Sequence, residues 1–286
     1  MTSKSIRPGF HTVTPYLIVP ELEPMIAFLK QAFDATVHYQ ATGSSGGTHT
    51  ELRIGDSMIM MSGGENGAVR ESMPIMIFLY LADVDGTYAA ALAAGGATIM
   101  EPTDGAFGEP RGAGIKDIAG NQWFYANWSA RPDAPPAVAP SPEEAVHQDT
   151  IPMLSYEDGP AAMDWLAAAF GFEEVERWLD DDGRLAHGEM KTGPGNSRIM
   201  LASPTPEYQS PKHLRAQYEP AQKWSAAPWV INGVLVYVDD VDAHHTRAVQ
   251  AGATPLGQIE DGFPGRRYRV EDLEGQRWMF MQRTTQ

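Results

Sequence analysis

Two short runs carry the most reactive side chains of this chain. His49-Thr-Glu51-Leu-Arg53 is answered by His187-Gly-Glu189-Met-Lys191, 138 residues further on. Alternate residues of a β-strand share a face, so each run presents an imidazole, a carboxylate and a cation side by side. A histidine and a glutamate so placed relay protons or bind a polar ligand, and Arg53 or Lys191 holds an anionic group. The plainer reading of the same residues is a charged cluster on a solvated sheet face. Arg111 and Arg266 stand near loops, where a guanidinium clamps a carboxylate or phosphate through two parallel hydrogen bonds or ties down loop carbonyls. His244 and His245 are neighbours on a helix, do not share a face, and are expected to point to solvent.

The paired runs belong to a longer repeat. Residues 32–37 (Ala-Phe-Asp-Ala-Thr-Val) match 169–174 (Ala-Phe-Gly-Phe-Glu-Glu). Asp83-Val-Asp85 matches Asp240-Val-Asp242, and Asp117-x-x-Gly120-x-x-Trp123 matches Asp272-x-x-Gly275-x-x-Trp278. The offset grows from 137–138 to 155–157, so the second copy carries extra residues. Four anchors in one order mark a duplicated fold.

The elements that must position these residues follow one order throughout. Strands are predicted at 13–19, 36–42, 48–54 and 57–62. A helix at 23–33 sets Met25, Ile26, Leu29 and Phe33 on one face. The order recurs as strand 75–81, helix 84–94 stopped by Gly95-Gly96, and strands 97–101, 112–117 and 121–127. The second half predicts strand 150–156, helix 160–170 and strands 173–179, 186–191 and 197–202. It closes on strand 234–238, helix 241–251 and strands 254–258, 267–271 and 277–282. Four βαβββ units imply an α+β architecture of mixed sheets with helices on one side. The domains are read as 10–128 and 147–283. Between them, residues 129–146 are rich in Ala and Pro and read as a stiff linker. An insertion at about 203–230 holds Tyr208, Tyr218, Trp224 and Trp229, and reads as a lid or a packing arm.

Bulk properties narrow the function. The chain's 286 residues suit two domains of ordinary size. A net charge of −16 argues against nucleic acid and anionic membrane as partners. There is no cysteine, which excludes disulfides, thiolate nucleophiles and zinc–thiolate sites. The longest apolar stretch, 74–82, is too short to span a bilayer, and residues 1–10 lack the apolar run of a signal peptide, so a cytoplasmic protein is expected.

The run 22–35 ending Gln-Ala-Phe-Asp-Ala, its copy 159–172, the strand-end motifs Asp117-Ile-Ala-Gly120-Asn121 and Asp272-Leu-Glu-Gly275-Gln276, and the turns at 94–98 and 251–254 form one set. Together they resemble the vicinal oxygen chelate superfamily of glyoxalase I, bleomycin- and fosfomycin-resistance proteins and extradiol dioxygenases. Phe107-Gly-Glu-Pro-Arg111 and Phe263-Pro-Gly-Arg266 resemble an aromatic-Gly-x-Arg segment of the PhnB-like branch. The resemblance implies tandem glyoxalase-like domains, each with two βαβββ units forming a curved eight-stranded mixed sheet around a groove. It also implies that metal-dependent members take ligands from the first and fourth strands of each unit. Those positions fall here on Thr14, Met60, about Ile77 and Phe124, then on Ile151, Met200, about Val234 and Met279. None is a usual ligand for a divalent cation. No metal and no other cofactor is therefore expected, unless the ligand positions are misplaced. The groove lining is read as Tyr16, Met58, Met60 and Phe124, with Met153, Met200, Met279 and Met281 in the second half, an adaptable apolar surface.

The sequence reading is thus a binder of a small organic molecule, with sequestration or resistance as the role such binding takes in the family. The alternatives are a metal-dependent lyase, isomerase or dioxygenase, a metal-free enzyme using His49 and Glu51 or His187 and Glu189, and a non-catalytic scaffold. The implied assembly is a monomer by internal domain pairing, or a homodimer.

Overall fold

The computed structural model describes residues 10–11, 13–42, 47–63, 74–127, 150–193, 197–226, 234–261 and 265–283. The described residues divide between two compact units, one within Leu17–Ile151 and the other within Met1–Tyr16 and Pro152–Gln286. The segment 129–146 lies outside the described residues, as do Trp229 and Phe263.

The first half runs β1 (Val13–Val19), α1 (Leu22–Phe33), β2 (Thr36–Thr42), β3 (Thr48–Ile54), β4 (Ser57–Gly63), β5 (Met76–Tyr80), α2 (Val84–Ala93), β6 (Ala97–Asp104), β7 (Arg111–Lys116) and β8 (Gln122–Asn127). The second half runs β9 (Thr150–Ser155), α3 (Gly159–Phe170), β10 (Glu173–Leu179), β11 (Leu185–Lys191), β12 (Arg198–Ala202), α4 (Pro211–Gln217), α5 (Glu219–Ser225), β13 (Val234–Tyr237), α6 (Val241–Gln250), β14 (Thr254–Pro255), β15 (Gly265–Glu271) and β16 (Arg277–Arg283). Among the described residues no helix is long and apolar enough to cross a membrane.

Local chemistry explains the helix ends. Asp83, Asp158 and Asp240 each cap a helix N-terminus by accepting a backbone N–H, from Gly86, Ala161 and both Asp242 and Ala243 respectively. Helix α1 stops at Asp34, held in the left-handed region at φ 52°, and α3 stops at Gly171, at φ 73°. Residues Met25, Ile26, Leu29 and Phe33 are buried together, as their spacing predicts.

The four βαβββ units give two eight-stranded mixed sheets. Their strand orders are β14-β15-β16-β13-β1-β4-β3-β2 and β10-β11-β12-β9-β5-β8-β7-β6. The α+β class and the two eight-stranded mixed sheets match the expectation. Consecutive βαβββ units lie in different sheets. The reason is visible in the core. Leu17, Leu52 and Ile59 of the first unit share one apolar cluster with Ile77, Leu79 and Trp123 of the second, and the Phe33 ring lies 4.8 Å from that of Trp123. Two consecutive units thus face a common core instead of joining edge to edge. Hydrophobic periodicity reports which face of a strand is buried, not which edge it pairs.

The described part of the insertion packs on the second half of the chain. It forms α4 and α5. Arg215 of α4 grips the Glu271 carboxylate with two hydrogen bonds of 2.5 and 2.8 Å. Arg277, itself buried, meets the same carboxylate at 3.0 Å and donates to the Ser225 carbonyl of α5. Tyr208 donates to the Ser155 carbonyl at 2.9 Å, while Tyr218 stays exposed.

Candidate functional site

Each half builds a polar cluster on the face of its sheet that turns away from the core. Leu17, Val19, Leu52, Ile54, Ile59 and Met61 enter the core. Strand alternation therefore sets Tyr16, His49, Glu51, Arg53, Met58 and Met60 on the opposite face. Glu51 faces Met60 across β3–β4 and Tyr39 across β2–β3. His49 Nε2 lies 3.5 Å from Glu51 Oε1, and Glu51 is buried. Arg53 donates to the Asp56 carbonyl at 3.3 Å.

The second copy keeps this plan with one addition. Met190, Ile199, Leu201, Trp278 and Phe280 enter the core, leaving His187, Glu189, Lys191, Met200 and Met279 on the opposite face. Met153, beside core residue Leu154, faces the same way and pairs with Met200. His187 Nε2 lies 3.3 Å from Glu189 Oε1, and Arg198 donates to Glu189 Oε2 at 2.7 Å. Burial pushes the Glu189 carboxyl up, but the hydrogen bonds from His187 and Arg198 outweigh it and leave the group below its ordinary value. Lys191 lies 4.0 Å from Glu173. Glu176 on β10 stands directly opposite Glu189. Sequence pattern could not reveal that, because a bulge between Glu174 and Glu176 sets the register.

Other expected residues go elsewhere. Arg111 places Nε and Nη2 on the Asp85 carboxylate at 2.5 and 2.7 Å, and Nη1 on Asp104 at 2.6 Å. Arg266 also grips the matching carboxylate with two nitrogens, Nη1 and Nη2 on Asp242, and sets Nε on Asp261 at 2.7 Å. The repeated arginine therefore serves the repeated Asp-Val-Asp motif, tying a strand to the first turn of α2 or α6. His244 is not at the surface: it is buried, with Nδ1 2.7 Å from the Tyr268 hydroxyl and Nε2 3.1 Å from the Phe170 carbonyl. His245 lies edge-on to the Tyr268 ring at 4.8 Å.

Two of the inferred metal-ligand positions need correction. Ile77 and Val234 point into the cores, because the register was one residue off, and Phe78 and Leu235 hold the opposite face. The corrected set is Thr14, Met60, Phe78, Phe124, Ile151, Met200, Leu235 and Met279. It offers neither imidazole nor carboxylate, so these positions do not fit a divalent cation.

An aromatic surface is the feature that sequence pattern found only in part. On β5 and β8 the core takes Ile77, Leu79, Trp123 and Tyr125, which leaves Phe78, Tyr80 and Phe124 on the other face. Phe107 joins them from the turn before β7. Its ring centroid lies 5.3 Å from that of Phe78 and 5.7 Å from that of Phe124, both edge-to-face. Phe78 and Tyr80 pair at 5.1 Å. The floor is bare backbone. A Cβ on Gly114 would come within 2.7 Å of the Phe124 ring, and one on Gly112 within 2.8 Å of Phe107. Phe107 itself sits at φ 59°, a left-handed conformation unusual for an aromatic residue, and stays 41% exposed.

Four βαβββ units and two eight-stranded mixed sheets, with the candidate residues on the faces turned from the cores, define a duplicated glyoxalase-like protein. The chain belongs to the Glyoxalase/Bleomycin resistance protein/Dioxygenase superfamily, whose family model matches residues 9–125 and 151–280. The crystal structure of glyoxalase I from Zea mays superposes with a TM-score of 0.67 at 13% identity, covering 94% of this chain and 92% of that one. At that identity the likeness speaks for the fold alone. An uncharacterized protein of Mycobacterium bovis is 31% identical over 132 residues, 44% of this chain and 78% of its own length. A protein of Mycobacterium tuberculosis, also described as uncharacterized, matches at the same identity over 69% of its length.

Proposed function

We propose that this protein is a cytoplasmic binder of a small aromatic organic molecule, and that the Phe78, Tyr80, Phe107 and Phe124 surface is where the ligand stacks. The observation that carries this reading is the exposed Phe107 ring, held in a strained backbone conformation above two glycines whose missing side chains make room for the rings. A non-glycine residue at positive φ costs of order 1 kcal/mol and persists where the surroundings demand it. Aromatic faces offer adaptable contact to planar ligands, and each well-placed ring pair contributes about 0.5–1.5 kcal/mol beyond area burial. Sequestration rather than turnover agrees with the absence of ligand residues at the family's metal positions.

The test is a thermal-shift screen of planar aromatic compounds, followed by calorimetry on the hits. Phe107→Ala is expected to weaken binding about tenfold, the loss of one or two ring contacts. Because that ring is 41% exposed and lies outside the apolar core cluster, the variant should fold normally. A panel without hits, or hits indifferent to Phe107→Ala, would sink the proposal.

A further inference from the structure

Glu176, His187 and Glu189 converge on β10 and β11, with one ligand atom from each lying within 4.8 Å of the other two. All three side chains are half-buried. The arrangement is costly as it stands. Glu176 and Glu189 are direct cross-strand partners, and like charges in that relation repel. Only Glu189 is compensated, by Arg198 at 2.7 Å. The Glu176 side chain has no hydrogen bond or ion pair with any described residue. The first copy has the corresponding bulge, between Val37 and Tyr39, yet puts Tyr39 rather than a carboxylate opposite Glu51.

We propose that Glu176, His187 and Glu189 hold a divalent first-row transition-metal ion, in the second half of the chain only. One imidazole nitrogen and two carboxylate oxygens suit zinc, manganese, iron or cobalt better than magnesium or calcium, which favour oxygen-only sets. Donors around such an ion stand about 3 Å apart, so the three side chains close on it by rotation within their strands. His187 would carry its proton on Nδ1 and offer the Nε2 lone pair. Arg198 stays on Glu189 Oε2 and fixes the carboxylate's direction, as outer-shell partners do. The Trp178 ring, 5.3 Å from the His187 ring, limits the imidazole's swing. Three protein donors leave positions open for water or a ligand atom. The site lies on the second and third strands of its unit and uses none of the family's ligand positions on the first and fourth, although Glu189 pairs across the strands with Met200, one of those positions, and it does not depend on the aromatic-ligand reading.

The full-length chain, stripped with chelator, is titrated calorimetrically with Zn²⁺, Mn²⁺, Co²⁺ and Mg²⁺ at pH 7.5. One transition-metal ion per chain is expected, with no saturable Mg²⁺ binding. Glu176→Gln should weaken it at least tenfold, and His187→Ala should abolish the Co²⁺ visible spectrum of a nitrogen-ligated ion. His49→Ala, which removes the counterpart imidazole of the first copy, should leave binding unchanged. Circular dichroism identifies which variants are folded and can be compared. The proposal is overturned if no ion binds stoichiometrically, or if folded Glu176→Gln and His187→Ala bind as the parent does.

Discussion

Asp272→Ala is expected to destabilise the fold by about 4 kcal/mol, because it strips several buried donors of one acceptor at once. The Asp272 carboxylate accepts the Tyr156 hydroxyl at 2.6 Å, the Trp278 indole N–H at 3.0 Å, and the backbone N–H groups of Glu274 and Gln276 at 3.0 Å each. It lies in the interior beside the fully buried Trp278. A buried donor left without a partner costs about 1–3 kcal/mol, and water entering the space left by the carboxylate recovers part of the sum. The first copy repeats the device: Asp117 binds the Trp123 indole, the Asn121 side chain and the N–H groups of Ala119 and Asn121. Asp117→Ala should therefore behave alike, while Tyr156→Phe, which removes one donor cleanly, should cost about 1 kcal/mol. Urea unfolding followed by tryptophan fluorescence measures all three. A loss below about 1 kcal/mol for Asp272→Ala would deny the motif its structural role.

That motif shows how far the sequence could be read. Asp-x-x-Gly-x-x-Trp was visible as a repeat, and the strand ends around it were placed to within a residue or two. Its meaning needed the fold, where the carboxylate closes a turn whose glycine adopts φ 93° at Gly120 and 85° at Gly275, then reaches the indole on the next strand. Period-two alternation placed His49 and Glu51 opposite Leu52 and Ile54, and that division holds. Three things lay beyond local pattern. The bulge that turns Glu176 toward Glu189 changes the register by one residue and leaves no mark in composition. Asp85 and Asp242, which Arg111 and Arg266 grip through two nitrogens each, lie on helices 26 and 24 residues away in sequence. His244 is expected at the surface from its place beside His245, and adjacency on a helix does not say which of the two turns inward. It occupies the buried stripe of α6 with Val241 and Ala248, and the interior accepts it because both ring nitrogens find partners.

The acid response is expected to expose two buried groups that act in opposition. Burial lowers the His244 value from 6.5 to about 4, with Arg247 adding to the effect. The unfolded chain then takes up this proton first, so the neutral histidine's contribution is present above pH 6.5 and is lost as pH falls toward 4. Burial raises the Asp272 value from 3.8 to about 6, against the hydrogen bonds from Tyr156 and Trp278. Here the folded chain takes up the proton first, so this contribution is present below pH 3.8 and is lost as pH rises through 6. Each displacement is worth up to about 3 kcal/mol over nearly the same window, with opposite sign. In the parent the two largely offset each other, and single substitutions separate them. His244→Gln removes the acid-sensitive group and keeps a side chain able to meet Tyr268 and Phe170. Between pH 7.0 and 4.5 it should gain about 2 kcal/mol relative to the parent's own change. Asp272→Asn, less stable at every pH, should lose about as much over the same interval. Carboxylates such as Glu189 and Glu271, which ion pairing holds below their ordinary values, titrate in parent and variants alike and drop out of the difference. Urea unfolding at the two pH values decides the matter, because variants that track the parent would show that neither group's protonation is linked to folding.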